Sequence, residues 1–158
     1  MPPSVQEPPR YSVVAATSAE DRAQAFDVRV TVFVVEQLVP QEEELDAWDD
    51  TAYHFLALFH SSGAQEAVGA ARLVVLAGGA GKIGRVAVLR RHRRHGVGRL
   101  LMAAVEAQAR RLGIKSTKLD AQLHAIPFYE ALGYSAEGPV FLDANIEHRL
   151  MRKQLHAT

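Results

Sequence analysis

The feature that most constrains this chain is a glycine pair placed where a strand hands over to a helix. The apolar run Ile83 to Leu89 reads as a strand, and from Gly96 onward Val97, Leu100, Leu101, Ala104, Val105 and Leu112 recur on one face of a helix that Gly113 ends. Between them lies Arg90-Arg91-His92-Arg93-Arg94-His95-Gly96-Val97-Gly98. Glycines at such a junction let backbone amides come close to a ligand. The unpaired N–H groups and positive end of the new helix favour an anion, and flanking arginines add charge-assisted hydrogen bonds. Two common phosphate patterns do not fit: a dinucleotide fingerprint needs a third glycine where Leu101 stands, and a P-loop needs Ser or Thr where Ile83 follows Lys82. What remains is Arg-x-x-Gly-x-Gly behind the strand Ile83-Gly-Arg-Val-Ala-Val88.

Charge is segregated along the chain, which the net charge of zero conceals. Seven acids and no base fall between Glu36 and Asp50, and seven bases and no acid between Lys82 and Arg99. Such separation suits an anion held by one segment and a cation drawn to the other, and is equally what two solvated faces would show. The arginine run carries no interleaved aromatic residue for base stacking and the chain is neutral overall, which reads against nucleic acid. No stretch approaches the roughly 18 apolar residues of a membrane span. With no cysteine, disulfides, thiolate metal sites and a cysteine acyl-enzyme are excluded, and a cytoplasmic protein is expected. The spacing of the seven histidines suggests no metal site. The Pro-rich start, MPPSVQEPPR, lacks the layout of a signal peptide, so residues 1–9 are expected to be a disordered lead-in and residues 10–158 one domain.

The remaining pattern alternates irregularly between strands and helices. Tyr11 to Ala16 reads as a first strand, and Ser18 followed by Asp21 as the cap of a helix over about residues 19–34. The acidic segment, interrupted by Pro40, reads as a loop or short second helix. Strands are expected at 54–60, 67–75, 83–89 and 116–121, a short helix at 125–132, and two closing strands near 134–142 and 147–155. A meander of strands mixed with helices predicts an α+β fold on a mixed sheet, not a doubly wound parallel one.

The pattern Arg-x-x-Gly-x-Gly resembles the pyrophosphate-binding motif of the GNAT superfamily of N-acetyltransferases. Leu119-Asp-Ala-Gln-Leu-His-Ala-Ile-Pro-Phe-Tyr-Glu-Ala-Leu-Gly-Tyr134 resembles that family's strand-plus-helix segment ending in Phe-Tyr-x-x-x-Gly-Phe/Tyr. Val32-Phe-Val-Val-Glu-Gln37, the stretch Asp46…Asp50…His54, and Phe141-Leu-Asp-Ala-Asn-Ile-Glu-His148 are similar to its ElaA-like branch, so the resemblance spans about residues 11–155.

That resemblance implies a mostly antiparallel central sheet flanked by helices, with acetyl-CoA as co-substrate and no metal. It implies that Val86, Ala87 and Val88 hold the pantetheine arm through backbone contacts, the Val88 amide lying near the thioester oxygen as a ready oxyanion donor. Arg93, Arg94, Gly96, Val97, Gly98 and Arg99 would take the pyrophosphate, Arg90 or Arg91 the ribose phosphate, and Phe128 would flank the cofactor. Tyr129 matches the tyrosine that protonates the departing thiolate. Glu36 and His148 are the candidate bases. Glu36, Asp46, Asp49, Asp50, His54, Gln122, Asp143 and His148 are the candidate acceptor residues. Taken singly, each histidine reads equally as a packed core or surface residue, and Tyr129 equally as plain core.

The acidic segment favours a small, polar, cationic primary amine attacking directly in a ternary complex. An amino sugar such as glucosamine suits a site that mixes carboxylates, amide and imidazole; a polyamine, a lysine-type amine or a protein is the alternative. Of another class is a non-catalytic CoA-binding sensor or interaction module. Exposed strand edges near the C-terminus would support a homodimer.

Overall fold

The computed structural model describes residues 10–156; the lead-in expected at residues 1–9 lies outside them. Strands β1 (Tyr11–Ala15), β2 (Tyr53–Ser61), β3 (Ala64–Val75), β4 (Gly81–Val88), β5 (Ser116–Gln122), β6 (Ser135–Asp143) and β7 (Ile146–Gln154) form one sheet in the order β1-β2-β3-β4-β5-β7-β6. Every neighbouring pair is antiparallel except β4 with β5. The helices are α1 (Ala19–Arg29), α2 (Gln41–Glu44), α3 (Val97–Arg111) and α4 (Ile126–Ala131). This is the α+β, mostly antiparallel arrangement expected.

Both faces of the middle strands are covered, which is why successive residues Phe55, Leu56 and Ala57 are all buried rather than alternating with exposed ones. Phe55, Leu73, Ile83, Leu101, Met102, Val105 and Met151 pack between the sheet and α3. Leu56, Ala70 and Ala87 join Ala25 and Val28 of α1 on the other face. Full burial of each Leu contributes about 1.5–3 kcal/mol. α3 is also pinned by a polar cluster beneath it: the buried carboxylate of Glu106 accepts from Lys153 Nζ at 2.7 Å and from Tyr134 Oη at 2.9 Å. Burial, with the nearby Glu106 charge, holds the Tyr134 phenol far above its ordinary pKa.

Ser18 caps α1 as expected, accepting from the Asp21 amide at 3.0 Å. The helix expected over residues 19–34 is α-helical only to Arg29; Val30–Glu36 continues as a π-helix, and the Gln37 amide reaches back to the Val32 carbonyl at 3.1 Å. The change coincides with the run Val30-Thr-Val-Phe-Val-Val35, whose β-branched residues lower the preference for a regular α-helix.

One irregularity positions the site. β4 and β5 pair only at Gly81 with Thr117 and Lys82 with Lys118, and then part. On the other edge of β4 the register against β3 shifts between Ala70 and Arg72, and Arg85 sits in the left-handed region at φ +54°. A non-glycine residue held there within a strand costs on the order of 1–2 kcal/mol, so surrounding contacts must hold it.

Candidate active site

The wedge left where β4 and β5 part opens into a cavity of about 1150 Å³. One side of it is a single stretch of chain. Val86, Ala87 and Val88 line it from β4. Leu89 sends its amide to the Val68 carbonyl on β3, and successive strand amides point to opposite edges. The Val88 amide therefore points to the edge that β5 has vacated. The chain then turns through Arg90–His92 and enters α3 at Gly96, whose φ of +81° is one that glycine adopts without strain. No side chain caps this helix, and the first intrahelical bond is from Leu100 to the Gly96 carbonyl. The amides of Val97, Gly98 and Arg99, all on the cavity wall, thus stand at the helix's positive end, suited to an anion. Arg93, Arg94 and Arg99 border the same place.

Arg93 is already oriented. Its Nε donates to the Val88 carbonyl at 2.9 Å and its Nη2 to Glu36 at 2.8 Å. Glu36 also lies 3.7 Å from Arg90, and it does not line the cavity. Phe128 sits on Gly98: a Cβ there would lie 3.1 Å from the ring's Cζ. Tyr129, its ring 4.9 Å from Phe128, lines the cavity, and its hydroxyl has no hydrogen-bond partner among the described residues. Burial pushes that phenol up to about 12. The two tyrosines differ accordingly: Tyr134 is committed to Thr117 and Glu106, whereas Tyr129 keeps a free proton facing the wedge.

The opposite side gathers segments distant in sequence. Phe33 and Gln37 come from the π-helix and its end, Glu43, Asp46 and Trp48 from the acidic segment, Gln122 and His124 from the end of β5, and Asp143, Ile146 and His148 from the β6–β7 hairpin. The hairpin turns on Ala144 and Asn145, both at positive φ. His148 Nδ1 lies 2.7 Å from the Ile146 carbonyl, so Nδ1–H donates and Nε2 is left as the acceptor. Gln37 and Gln122 exchange an amide hydrogen bond of 2.8 Å that ties the end of α1's extension to β5.

The acidic segment has a use that sequence reasoning did not find. Arg29, fully buried, donates to Glu44 Oε1 and Asp49 Oδ1, both at 2.8 Å. Arg72 grips Asp46 at 2.7 Å and Asp49 at 2.9 Å, and Arg85 reaches Glu44 and Asp46 at 3.3 and 3.2 Å. Three guanidiniums thus match three carboxylates. Burial works against the Asp49 carboxylate, yet hydrogen bonds from Arg29 and the Asp46 amide, with the Arg29 charge, hold it at about 2. For Glu44 burial prevails over the same arginines and holds its carboxyl above the ordinary range. His54 Nε2 donates to the Asp49 carbonyl at 2.8 Å, with Phe26 edge-on to its ring. Asp49, Asp50 and His54 are off the cavity wall, whereas Asp46, Gln122, Asp143 and His148 are on it. Of the acids on the wall, only Glu43 and Asp143 lack a cationic partner among the described residues. The signal for this network was available: an arginine such as Arg72 inside an otherwise apolar strand demands a buried partner.

Residues 15–155 match the model of the acetyltransferase (GNAT) domain family. An uncharacterised N-acetyltransferase of Bacillus subtilis, YjcF, is 40% identical over 141 residues, covering 89% of this chain and 97% of the relative. Among solved structures, an acyl-CoA N-acyltransferase from Pseudomonas aeruginosa superposes with a TM-score of 0.75 at 28% identity, over 90% of this chain and 97% of that one. Escherichia coli ElaA does so with a TM-score of 0.75 at 25% identity, with the same coverage of 90% and 97%.

Proposed function

The chain belongs to the GNAT acetyltransferase family, and from that premise we propose that it transfers acetyl from acetyl-CoA to the primary amine of a small polar acceptor. The observation that carries the reading is the meeting, on one cavity, of an uncapped helix start, a vacated strand edge and the unpaired phenol of Tyr129.

The residues present fit acetyl-CoA. The amides of Val97, Gly98 and Arg99 with Arg93 and Arg94 offer a cradle for its pyrophosphate, Arg90 or Arg91 stands exposed for the ribose phosphate, and the free edge of Val86 to Val88 offers hydrogen bonds to an amide-containing arm. The bound co-substrate supplies the acyl group as a thioester. The Val88 amide is a fixed donor for the developing oxyanion. Tyr129 donates a proton to the departing sulfur. The thiolate of an ordinary thiol, whose pKa in water is about 8.5, is a weaker base than the phenolate that Tyr129 would leave. The burial that raises Tyr129, however, also raises a thiolate formed beside it.

His148 is the group we assign to remove the ammonium proton, because its tautomer is fixed with Nε2 free and it lines the cavity. Glu36 spends its charge on Arg93 and Arg90 instead.

The acceptor wall combines negative charge with several neutral polar groups. Glu43 and Asp143 offer uncompensated charge, and Gln122, His124 and His148 offer donors and acceptors for hydroxyls. The neutral polar groups support an amino sugar such as glucosamine ahead of a polyamine, which has no hydroxyls to engage them. A thiol-release assay with acetyl-CoA against glucosamine, galactosamine, spermidine, lysine and a histone-tail peptide tests it. Turnover greatest on the amino sugars is the expected result. Greater turnover on spermidine replaces the acceptor. CoA binding without turnover on any amine favours a sensor, and no CoA binding overturns the proposal.

A further inference from the structure

Arg85 combines two properties that are rarely joined. Its backbone is the left-handed residue at the bulge of β4, directly before Val86 on the donor side. Its side chain reaches the acceptor wall, where Nε donates to the Glu44 carbonyl at 3.1 Å and Nη2 donates to the Glu43 carbonyl at 3.3 Å and to Asp46 Oδ2 at 3.2 Å. Bonds to main-chain carbonyls fix where a segment lies; they do not merely neutralise it. Arg85 also lies 3.3 Å from Glu44, but Arg29 and Arg72 between them already pair with Glu44, Asp46 and Asp49. Arg85 is also partly exposed, with 23% of its side chain accessible, so it contributes less to the core than the buried Arg29.

We infer that Arg85 is a positioning residue that sets the acceptor-side segment Glu43–Asp46 against the bulged strand carrying the donor contacts. The inference rests on the acetyl-transfer reading above for its consequence in turnover, but the contact itself can be tested without any acceptor. Glu43, one of the two acids on the wall without a cationic partner among the described residues, then has its backbone held by the bond to its own carbonyl.

Two variants separate the side chain from the backbone. Arg85→Gly removes the clamp while allowing positive φ freely; Arg85→Ala removes the clamp and keeps the strain. Three measurements apply to each: the CoA dissociation constant by calorimetry, amide hydrogen exchange, and steady-state kinetics with glucosamine. For Arg85→Gly, amides of residues 41–50 should exchange about tenfold faster or more while those of 116–122 are unchanged. CoA affinity should stay within about threefold of wild type, and the glucosamine KM should rise about tenfold with a smaller fall in kcat. Arg85→Lys, which retains charge without the planar fork, should not restore KM.

Unchanged exchange over 41–50 in Arg85→Gly overturns the proposal. So does a loss of CoA affinity as large as the loss for the acceptor, which would mean the residue acts through the strand alone. A wild-type protein that binds no CoA refutes the family reading of the cavity, and one that binds CoA but ignores glucosamine refutes only that acceptor. In both cases the exchange measurement still decides the role of Arg85.

Discussion

The proposed donor side of the cavity is one continuous stretch, from β4 through the arginine loop into α3, whereas the proposed acceptor side is assembled from the π-helix that continues α1, the acidic segment, the end of β5 and the β6–β7 hairpin. The first presents mainly backbone groups: an exposed strand edge and the uncapped amides of a 15-residue helix. The second presents side chains, its acidic segment held by three arginines against three carboxylates. The helix start follows from local sequence, since a glycine at φ +81° needs no distant partner, whereas the free strand edge requires β5 to part from β4. Side-chain geometry of the second kind exists only once residues such as Arg29 and Asp49, 20 positions apart, are brought together.

The two sides should respond unequally to substitution. The largest effect concerns the acceptor side's support. Arg29→Ala leaves Glu44 and Asp49 buried with less compensation and should lower stability by about 3–5 kcal/mol in urea unfolding. CoA affinity of the remaining folded protein should change little. A loss below about 1 kcal/mol would mean that the network does not hold this wall.

Next in size is the effect at Tyr129, the proposed proton donor. Tyr129→Phe should lower kcat about a hundredfold and leave the acetyl-CoA KM within about threefold, read by thiol release. Unchanged turnover removes Tyr129 from the chemistry.

A smaller effect, with a distinctive pH dependence, is expected from Asp49→Asn. The Asp49 pKa lies at about 2 in the folded protein against an ordinary 3.8, so its contribution is fully present above the ordinary value and is lost as pH falls through about 2. Wild type should exceed the variant by about 2 kcal/mol at pH 7, and the gap should close between about pH 4 and pH 2. A gap that persists at the acid end would mean packing, not charge, holds the segment.

The smallest is on the donor side. Gly98→Ala places a methyl 3.1 Å from the tip of the Phe128 ring, and the ring can swing away, so CoA affinity should fall only about threefold to tenfold. Adding Phe128→Ala should relieve the contact; a double variant no better than the single one would place the cause in the helix amides instead.

These differences trace what was legible. The order of elements, the Ser18 cap, the stop at Gly113 and the glycine junction at Gly96 are local events, and the chain itself determines them. So is the arginine loop's place at the start of α3. The π-helical continuation at Val30–Glu36 was less readable, because α- and π-helical turns share a similar apolar spacing over so short a run. Tertiary structure alone decided what the acidic segment does. Read as a line of residues, Glu36 to Asp50 is seven acids awaiting a cation. In the fold, Arg29 from α1, Arg72 from β3 and Arg85 from β4 take three of them and Arg93 takes Glu36; of the remaining Glu42, Glu43 and Asp50, which have no cationic partner among the described residues, only Glu43 lines the cavity. A carboxylate's role depends on which charges surround it and how far it is removed from water, and both are set by segments that meet only when the sheet has formed.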